Sequence, residues 1–304
     1  MIIIEGLHSA KKRLQKWYKD YFTVEGTYTS LLPDKVYLKK LYRQRTGKEL
    51  NLKNPQTFTE KLNWLKLYDR RPEYTMMVDK YAVRDYVAEK IGEEYLVPLV
   101  GTWESVEDIP FDELPDQFVL KCNHDNGVII CRDKKNFDVE AAKRELQFHL
   151  SRDYYKKCRE WPYKNVKRRI IAEKYISEGT DAPLVDYKFF CFNGEAKALF
   201  IATNRPYDTR FDFFSRDFTH LPIINGHPNS DNVIKRPDNF EEMLFVAEKL
   251  SSGMPHVRVD LYNLDGRVFF SEMTFHHFGG FHPFEPEEWD GKVGSWLELP
   301  KKRR

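Results

Sequence analysis

The stretch RVDLYNLDGRVFFSEMTF, residues 258–275, constrains this chain more than any other. Val257, Val259 and Leu261 alternate with Arg258, Asp260 and Tyr262, and after Asp265-Gly266 a second run alternates Val268 and Phe270 with Phe269 and Ser271. Period-two alternation on both sides of an Asp-Gly pair predicts an antiparallel hairpin. Arg258, Asp260 and Glu272 sit inside its apolar runs. A charge in that position needs a partner or a metal, because desolvating it alone is costly.

Register decides whether the two carboxylates cooperate. A two-residue loop, Asp265-Gly266, pairs 260 with 271 and sends Asp260 and Glu272 to opposite faces. A three-residue loop, Leu264-Asp265-Gly266 with Gly266 left-handed, pairs 258 with 272 and 260 with 270. We expect the second, which puts Arg258, Asp260, Glu272 and Thr274 on one face. Two carboxylates and a hydroxyl there suit magnesium, which takes few protein ligands and completes its shell with phosphate oxygens and water. A structural Arg258–Glu272 cross-strand ion pair explains the same charges without a metal.

Composition narrows the function classes. The 304 residues carry 49 basic and 47 acidic side chains, so no global field draws the chain to nucleic acid. The basic aromatic run YYKKCREWPYKNVKRR could stack bases, but no RNA-binding signature accompanies it. Cys122, Cys131, Cys158 and Cys191 lack C-x-x-C spacing, which fits a reducing compartment and no structural zinc, and the cytosol is the expected location. No apolar run approaches the roughly 18 residues of a membrane span, and MIII is too short for a signal-peptide core. Residues 11–22, KKRLQKWYKDYF, set Leu14, Trp17, Tyr18, Tyr21 and Phe22 opposite lysines and an arginine at helical spacing; this face either packs on the protein or lies on an anionic membrane, helped by KKRR at 301–304.

Along the chain, residues 1–78 read as a helical region, with helices near 34–45 and 58–68, the latter opened by the capping pattern Thr57-x-x-Glu60. Asp79 is expected to cap a helix reaching Gly92 with Lys80 in its first turn, where a lysine is more comfortable if a phosphate lies between it and the positive helix end. A strand near 95–103 precedes QFVLK, the loop CNHDNG and VIIC. Lys121 at that strand end, followed by a loop with Gly127, forms a shape that folds over phosphates, although the P-loop pattern is absent. A helix near 138–152, the strand RIIAEKYI, a hairpin turning at Asn193-Gly194 with Asp186 and Lys188 on one face, and a helix near 240–251 complete the reading.

Taken in order, Lys80 at a helix start, Lys121 before a loop, AEKYI, DYKFFCFNG and the VRVDLY to SEMTF hairpin resemble the ATP-grasp enzymes. Over roughly 51–290 the chain is similar to the ATP-grasp amidoligases of bacterial surface-polysaccharide loci, the teichuronopeptide-biosynthesis type. The resemblance implies an α+β ATP-grasp fold, two subdomains at 79–176 and 177–304 clasping ATP, with a helical extension over 1–78. It implies that Lys80 and Lys121 meet the ATP phosphates, that Asn123, Asp125 and Gly127 belong to a mobile loop, and that Glu173, Lys174, Tyr175 and Ile176 form the adenine linker, with Lys188 also at the nucleotide. Loop 122–127 is expected to be the least ordered part of the site without ligand. Arg258 would contact phosphate, and Asp260, Glu272 and Thr274 would hold Mg2+, Thr274 standing where many relatives have asparagine.

The implied reaction is carboxylate activation by ATP followed by amide formation. Arg205 and Arg210 are candidates for a bidentate grip on the substrate carboxylate, or ordinary loop arginines. His276, His277 and His282 lack a zinc pattern; Gly279-Gly280 would let their loop wrap close to substrate, with a histidine near the amine. The implied partners are a small-molecule or glycan carboxylate and an amine acceptor, with no nucleic acid and an open oligomeric state. A sugar kinase on the same fold and a non-catalytic scaffold are the competing readings.

Overall fold

The computed structural model describes residues 31–177, 184–205 and 208–302, so the helical face at 11–22 lies outside the described residues. Helices α1 (Asp34–Thr46), α2 (Phe58–Tyr68), α3 (Pro72–Val78) and α4 (Val83–Ile91) come first. The Thr57/Glu60 capping box forms as expected and starts α2. Asp79 does not cap α4 directly: its carboxylate accepts from Tyr81 and Ala82 N–H in a turn, α4 begins at Val83, and Lys80 sits in that turn.

Two antiparallel sheets follow. The first joins β1 (Leu99–Trp103), β2 (Phe118–Cys122), β3 (Val128–Cys131) and β4 (Ile170–Lys174) in the order β1-β4-β2-β3, with α5 (Val139–Ser151) and the short α6 (Tyr154–Cys158) between β3 and β4. The second joins β5 (Asp186–Phe192), β6 (Glu195–Thr203), β7 (Arg210–Ser215), β8 (His220–Leu221), β9 (His256–Leu264) and β10 (Arg267–Thr274) in the order β10-β9-β5-β6-β7-β8. Helix α7 (Phe240–Ser251) precedes β9, and α8 (Glu288–Trp296) follows β10. This is the expected ATP-grasp-like α+β arrangement of two subdomains with a helical extension.

Both faces of the larger sheet are covered. Phe189, Leu199, Val257, Val259 and Leu261 pack under Phe240, Leu244 and Ala247 of α7. On the other face Phe190, Phe192, Phe200 and Phe213 pack with Tyr37, Leu38, Phe58 and Leu62 of α1 and α2 and with Trp289 and Val293 of α8. The smaller sheet buries Phe118, Leu120, Ile170 and Ala172 against Leu146 of α5, which leaves its opposite face to look across at the larger sheet. Alternation along a strand thus gives the smaller sheet one apolar core face and one face free for ligands, while the larger sheet contributes a charged end.

The opening hairpin corrects our register. Its loop has two residues, Asp265 (φ 51) and Gly266 (φ 74), both in the left-handed region that a tight hairpin turn of this length demands. Arg258 stands opposite Thr274, not 272, and Asp260 opposite Glu272, not 270. Parity is restored by a β-bulge between Phe270 and Glu272, where Ser271 has no partner. Arg258, Asp260, Glu272 and Thr274 therefore do share a face, through a bulge in the strand and not through an odd loop.

Candidate active site

Where the two sheets face each other lies a cleft of about 330 Å³. One wall is Val119 and Lys121 of β2, Val128 and Ile130 of β3, and Glu173 to Ile176 at the end of β4; the other includes Leu184, Asp186, Arg205 and Tyr262. Val128 and Ile130 are 45% and 49% exposed, since their strand turns Ile129 and Cys131 into the core instead. The cleft becomes charged at one end. Lys121 Nζ donates to Glu173 at 2.6 Å, and Arg84 reaches the same carboxylate at 3.4 Å. Burial works against the Lys121 ammonium, but the Glu173 carboxylate outweighs it and holds the pKa above the ordinary lysine value. Arg205 pairs with Asp186.

Arg205 also lines the adjoining chamber of about 720 Å³. Its floor is the charged end of the larger sheet. Asp260 is 0% exposed, and Arg258 grips it with Nε on Oδ1 at 2.7 Å and Nη2 on Oδ2 at 2.7 Å, while Lys188 also donates to Oδ2. Burial alone would raise the Asp260 pKa, but Arg258 and Lys188 pull it down to about 2. Arg258 spends its remaining donors on Thr274 Oγ1 at 3.1 Å and His277 Nδ1 at 2.8 Å. Because arginine only donates, His277 Nδ1 must accept, so its Nε2 carries the proton and donates to Asn225 Oδ1 at 2.8 Å. Burial and then the Arg258 charge push the His277 pKa well below its ordinary value, in keeping with a neutral ring.

Glu272 faces Lys80 at 3.6 Å and Arg258 at 3.5 Å, with its side chain 33% exposed to the chamber. The expected Arg258–Glu272 pair is thus the weaker contact of Arg258, whose main partner is Asp260. Asp260 and Glu272, directly opposite each other, fit magnesium by donor type and by face. Glu272 is the open ligand; both oxygens of Asp260 are engaged by Arg258 and Lys188. Among the described residues no three His, Cys, Asp or Glu side chains cluster to hold a metal unaided, so an ion here draws most of its shell from phosphate and water.

The structure brings together Lys80, Lys121, Glu173, Lys174, Tyr175, Ile176, Lys188, Arg205, Arg258, Glu272 and Thr274 along the cleft and chamber. It does not bring Arg210, which lines neither cavity but pairs with Asp208 at 3.0 Å and donates to Asn229 O. Nor does loop 122–127 present its side chains as expected. Asn123 is buried, bonding Lys167 O and Arg169 N–H, and Asp125 turns inward to His149 at 2.8 Å and Arg152 at 3.1 Å. At Gly127 an added Cβ would meet the His149 ring at 2.4 Å, so glycine is needed there for close packing. The loop reaches the chamber through Asn126 and through Asp125 O, which accepts from Lys80 at 2.7 Å. These buried polar bonds pin a segment we expected to be loose.

Other residues escaped the sequence reading: Tyr154, Glu160 and Tyr163, which line the chamber, come from the basic aromatic run that resembled an RNA-binding stretch, and Asn225, which is buried against His277, from a loop with no pattern. The ring pair Tyr154–Tyr163, centroids 4.7 Å apart, forms a wall. Burial, then Glu160 for Tyr154 and the neighbouring Tyr154 ahead of Glu160 for Tyr163, raises both hydroxyls well above the ordinary tyrosine value. The aromatic-to-acid spacing in YYKKCREWPY was the available signal.

No functionally curated protein sequence matches this chain. Among solved structures it is similar to D-alanine–D-alanine ligase from Bacillus anthracis complexed with ATP, at 17% identity and a TM-score of 0.38, over 66% of this chain and 54% of that one. It is also similar to the ATP-grasp ligase PsnB complexed with a phosphomimetic variant of minimal precursor, Mg and ADP, at 10% identity and a TM-score of 0.40, over 73% and 60%. D-alanine–D-alanine ligase from Helicobacter pylori matches at 13% identity and a TM-score of 0.36, over 73% and 62%. The chain spans less than two thirds of the length of each of these proteins. The model of the family described as TupA-like ATPgrasp matches residues 60–298, well over half of the sequence, and the chain belongs to that family of ATP-grasp proteins.

Proposed function

We propose that the chain is an ATP-dependent carboxylate–amine ligase that forms an amide through an acylphosphate, acting on a carboxylate-bearing small molecule or glycan of a bacterial surface polysaccharide. The observation that carries this reading is the continuity of an apolar cleft with a chamber lined by Lys80, Lys188, Arg205 and Arg258, Lys121 standing in the cleft. Val119, Val128, Ile130 and Tyr262 suit the faces of a purine, with residues 173–176 along its edge. Phosphates would then run past Lys121 and Arg205 toward Lys80 and Arg258.

In the reaction, a carboxylate oxygen bonds to the terminal phosphorus of ATP as the bond to ADP breaks. The amine gives up the proton of its ammonium form to solvent, its nitrogen attacks the acyl carbon, and phosphate leaves with the electron pair of the broken C–O bond as the nitrogen sheds a second proton to give the neutral amide. The chain's part is electrostatic: Lys80, Lys121 and Arg258 oppose the charge that spreads over the transferred phosphoryl group. His277 and Asn225 hold the Arg258 fork in place while Asp260 prevents it from swinging away. Magnesium, held by Glu272 with Asp260 beside it, would supply further neutralisation of the phosphates. We place the reaction in the cytoplasm, at the inner membrane face if residues 11–22 bind anionic lipid.

The test is nucleotide product analysis over a panel of uronic acids and amino acids. ADP release that needs both a carboxylate and an amine supports the ligase; AMP release contradicts it. ADP release with a sugar hydroxyl and no amine indicates the kinase reading instead.

A further inference from the structure

Glu160 is a buried carboxylate that lines the chamber. Its side chain is 7% exposed, and its nearest charged or titratable partner is His276 Nδ1, at 3.6 Å, too long for a hydrogen bond. Lys66 is a buried cation that interacts with Glu160 through its charge, yet its three donors are spent on Asn63 Oδ1, Cys158 O and Gly279 O at 3.2, 2.8 and 2.5 Å. Among the described residues nothing donates to the Glu160 carboxylate.

A second observation comes from the other end of the same contact. His276 is 5% exposed and lines the same chamber, and its Nδ1 is buried with no hydrogen-bond partner. Its placement follows from strand parity: Met273 and Phe275 enter the core, so Glu272, Thr274 and His276 succeed one another on the chamber face. His276 follows Thr274, the hydroxyl that touches Arg258, by two residues, just past the end of β10. A carboxylate and a ring nitrogen that pair at 3.6 Å with no hydrogen bond between them, at the wall of a cavity lined by several lysines and arginines, suit a hydrogen-bond donor carrying positive charge.

We propose that Glu160 and His276 form the subsite that receives the protonated amino group of the amine substrate. The assignment rests on the ligase reading above and names which end of the chamber the amine enters. Glu160 supplies the charge, His276 a neutral acceptor, and the Tyr154–Tyr163 pair an aromatic wall favourable to a cation. Recognition of an ammonium group here would select amines over alcohols, since an alcohol leaves the carboxylate unpaired.

The test reads binding without turnover, using methylammonium as probe and saturation-transfer NMR on its methyl protons in the presence of MgADP. Saturable transfer is expected in the wild type and in Glu272→Gln, and loss of it in Glu160→Gln. Absence of transfer in the wild type, persistence in Glu160→Gln, or loss confined to Glu272→Gln overturns the assignment. Glu160→Asp, which keeps the charge but draws it back by one methylene, guards against misfolding: a weakened signal agrees with the subsite and an unweakened one contradicts it. Methylammonium seated at Glu160 in a protein that forms no amide from ATP would sink the ligase reading and leave the subsite standing.

Discussion

Asp260 and Glu272 face each other across two strands and still belong to different environments. Asp260 is wholly buried as the counter-ion of Arg258 and Lys188, so removing its charge strands two cations. Asp260→Asn should cost about 3 kcal/mol of stability as well as turnover, whereas Glu272→Gln, one-third exposed, should abolish turnover with the melting temperature nearly unchanged. Paired thermal melts and activity assays separate the two. Acid stability tests the same residues. Burial lowers the pKa of His256 from 6.5 to about 3 and also lowers those of His276 and His277, so the native rings stay neutral while the unfolded chain takes up protons below pH 6.5. Stability should fall as pH drops through 6.5, and further as it approaches the pKa of about 2 at which Asp260 loses its charge. His256→Phe, a ring already stacked on Phe192 at 4.7 Å, should flatten the first part of that slope in pH-dependent melts.

The hairpin shows what elements disclose in a sequence and what they hide. Charged residues on alternating positions were legible, and so was a left-handed Gly266; the bulge was not read, although its signature was present. Apolar core positions are even-numbered at Val268 and Phe270 and odd-numbered at Met273 and Phe275, a change of phase that can occur only at an extra residue. Following the carboxylates alone led to a longer loop. Gly266→Val should destabilise the fold by about 1–2 kcal/mol, because a β-branched side chain resists φ 74, and chemical denaturation measures it. Strand β3 offers the complementary case. Val128 and Ile130 are apolar and exposed on the cleft face, so Ile130→Asp should leave stability unchanged and raise the KM for ATP about tenfold.

For the whole molecule, chain order was enough to anticipate the two sheets, because Lys121 lies near the end of a recognisable strand and Lys80 in a recognisable turn before a helix. Glu160, Asn126 and Asn225 were not legible: the first two reach the chamber and the third braces His277 from short turns whose position depends on how α6 and the 276–282 loop pack, and no local periodicity encodes that. The pinning of Asn123 and Asp125 was hidden for the same reason, since His149, Arg152 and Lys167 lie far along the chain. What unites the cleft and chamber is one claim, that a carboxylate oxygen in the chamber attacks the terminal phosphate of ATP lying in the cleft. The most direct measurement supplies the substrate carboxylate labelled with 18O, together with MgATP and amine, and follows the label by mass spectrometry. The account predicts one 18O atom in each released phosphate and ADP free of label. Unlabelled phosphate, or label in AMP, would contradict it.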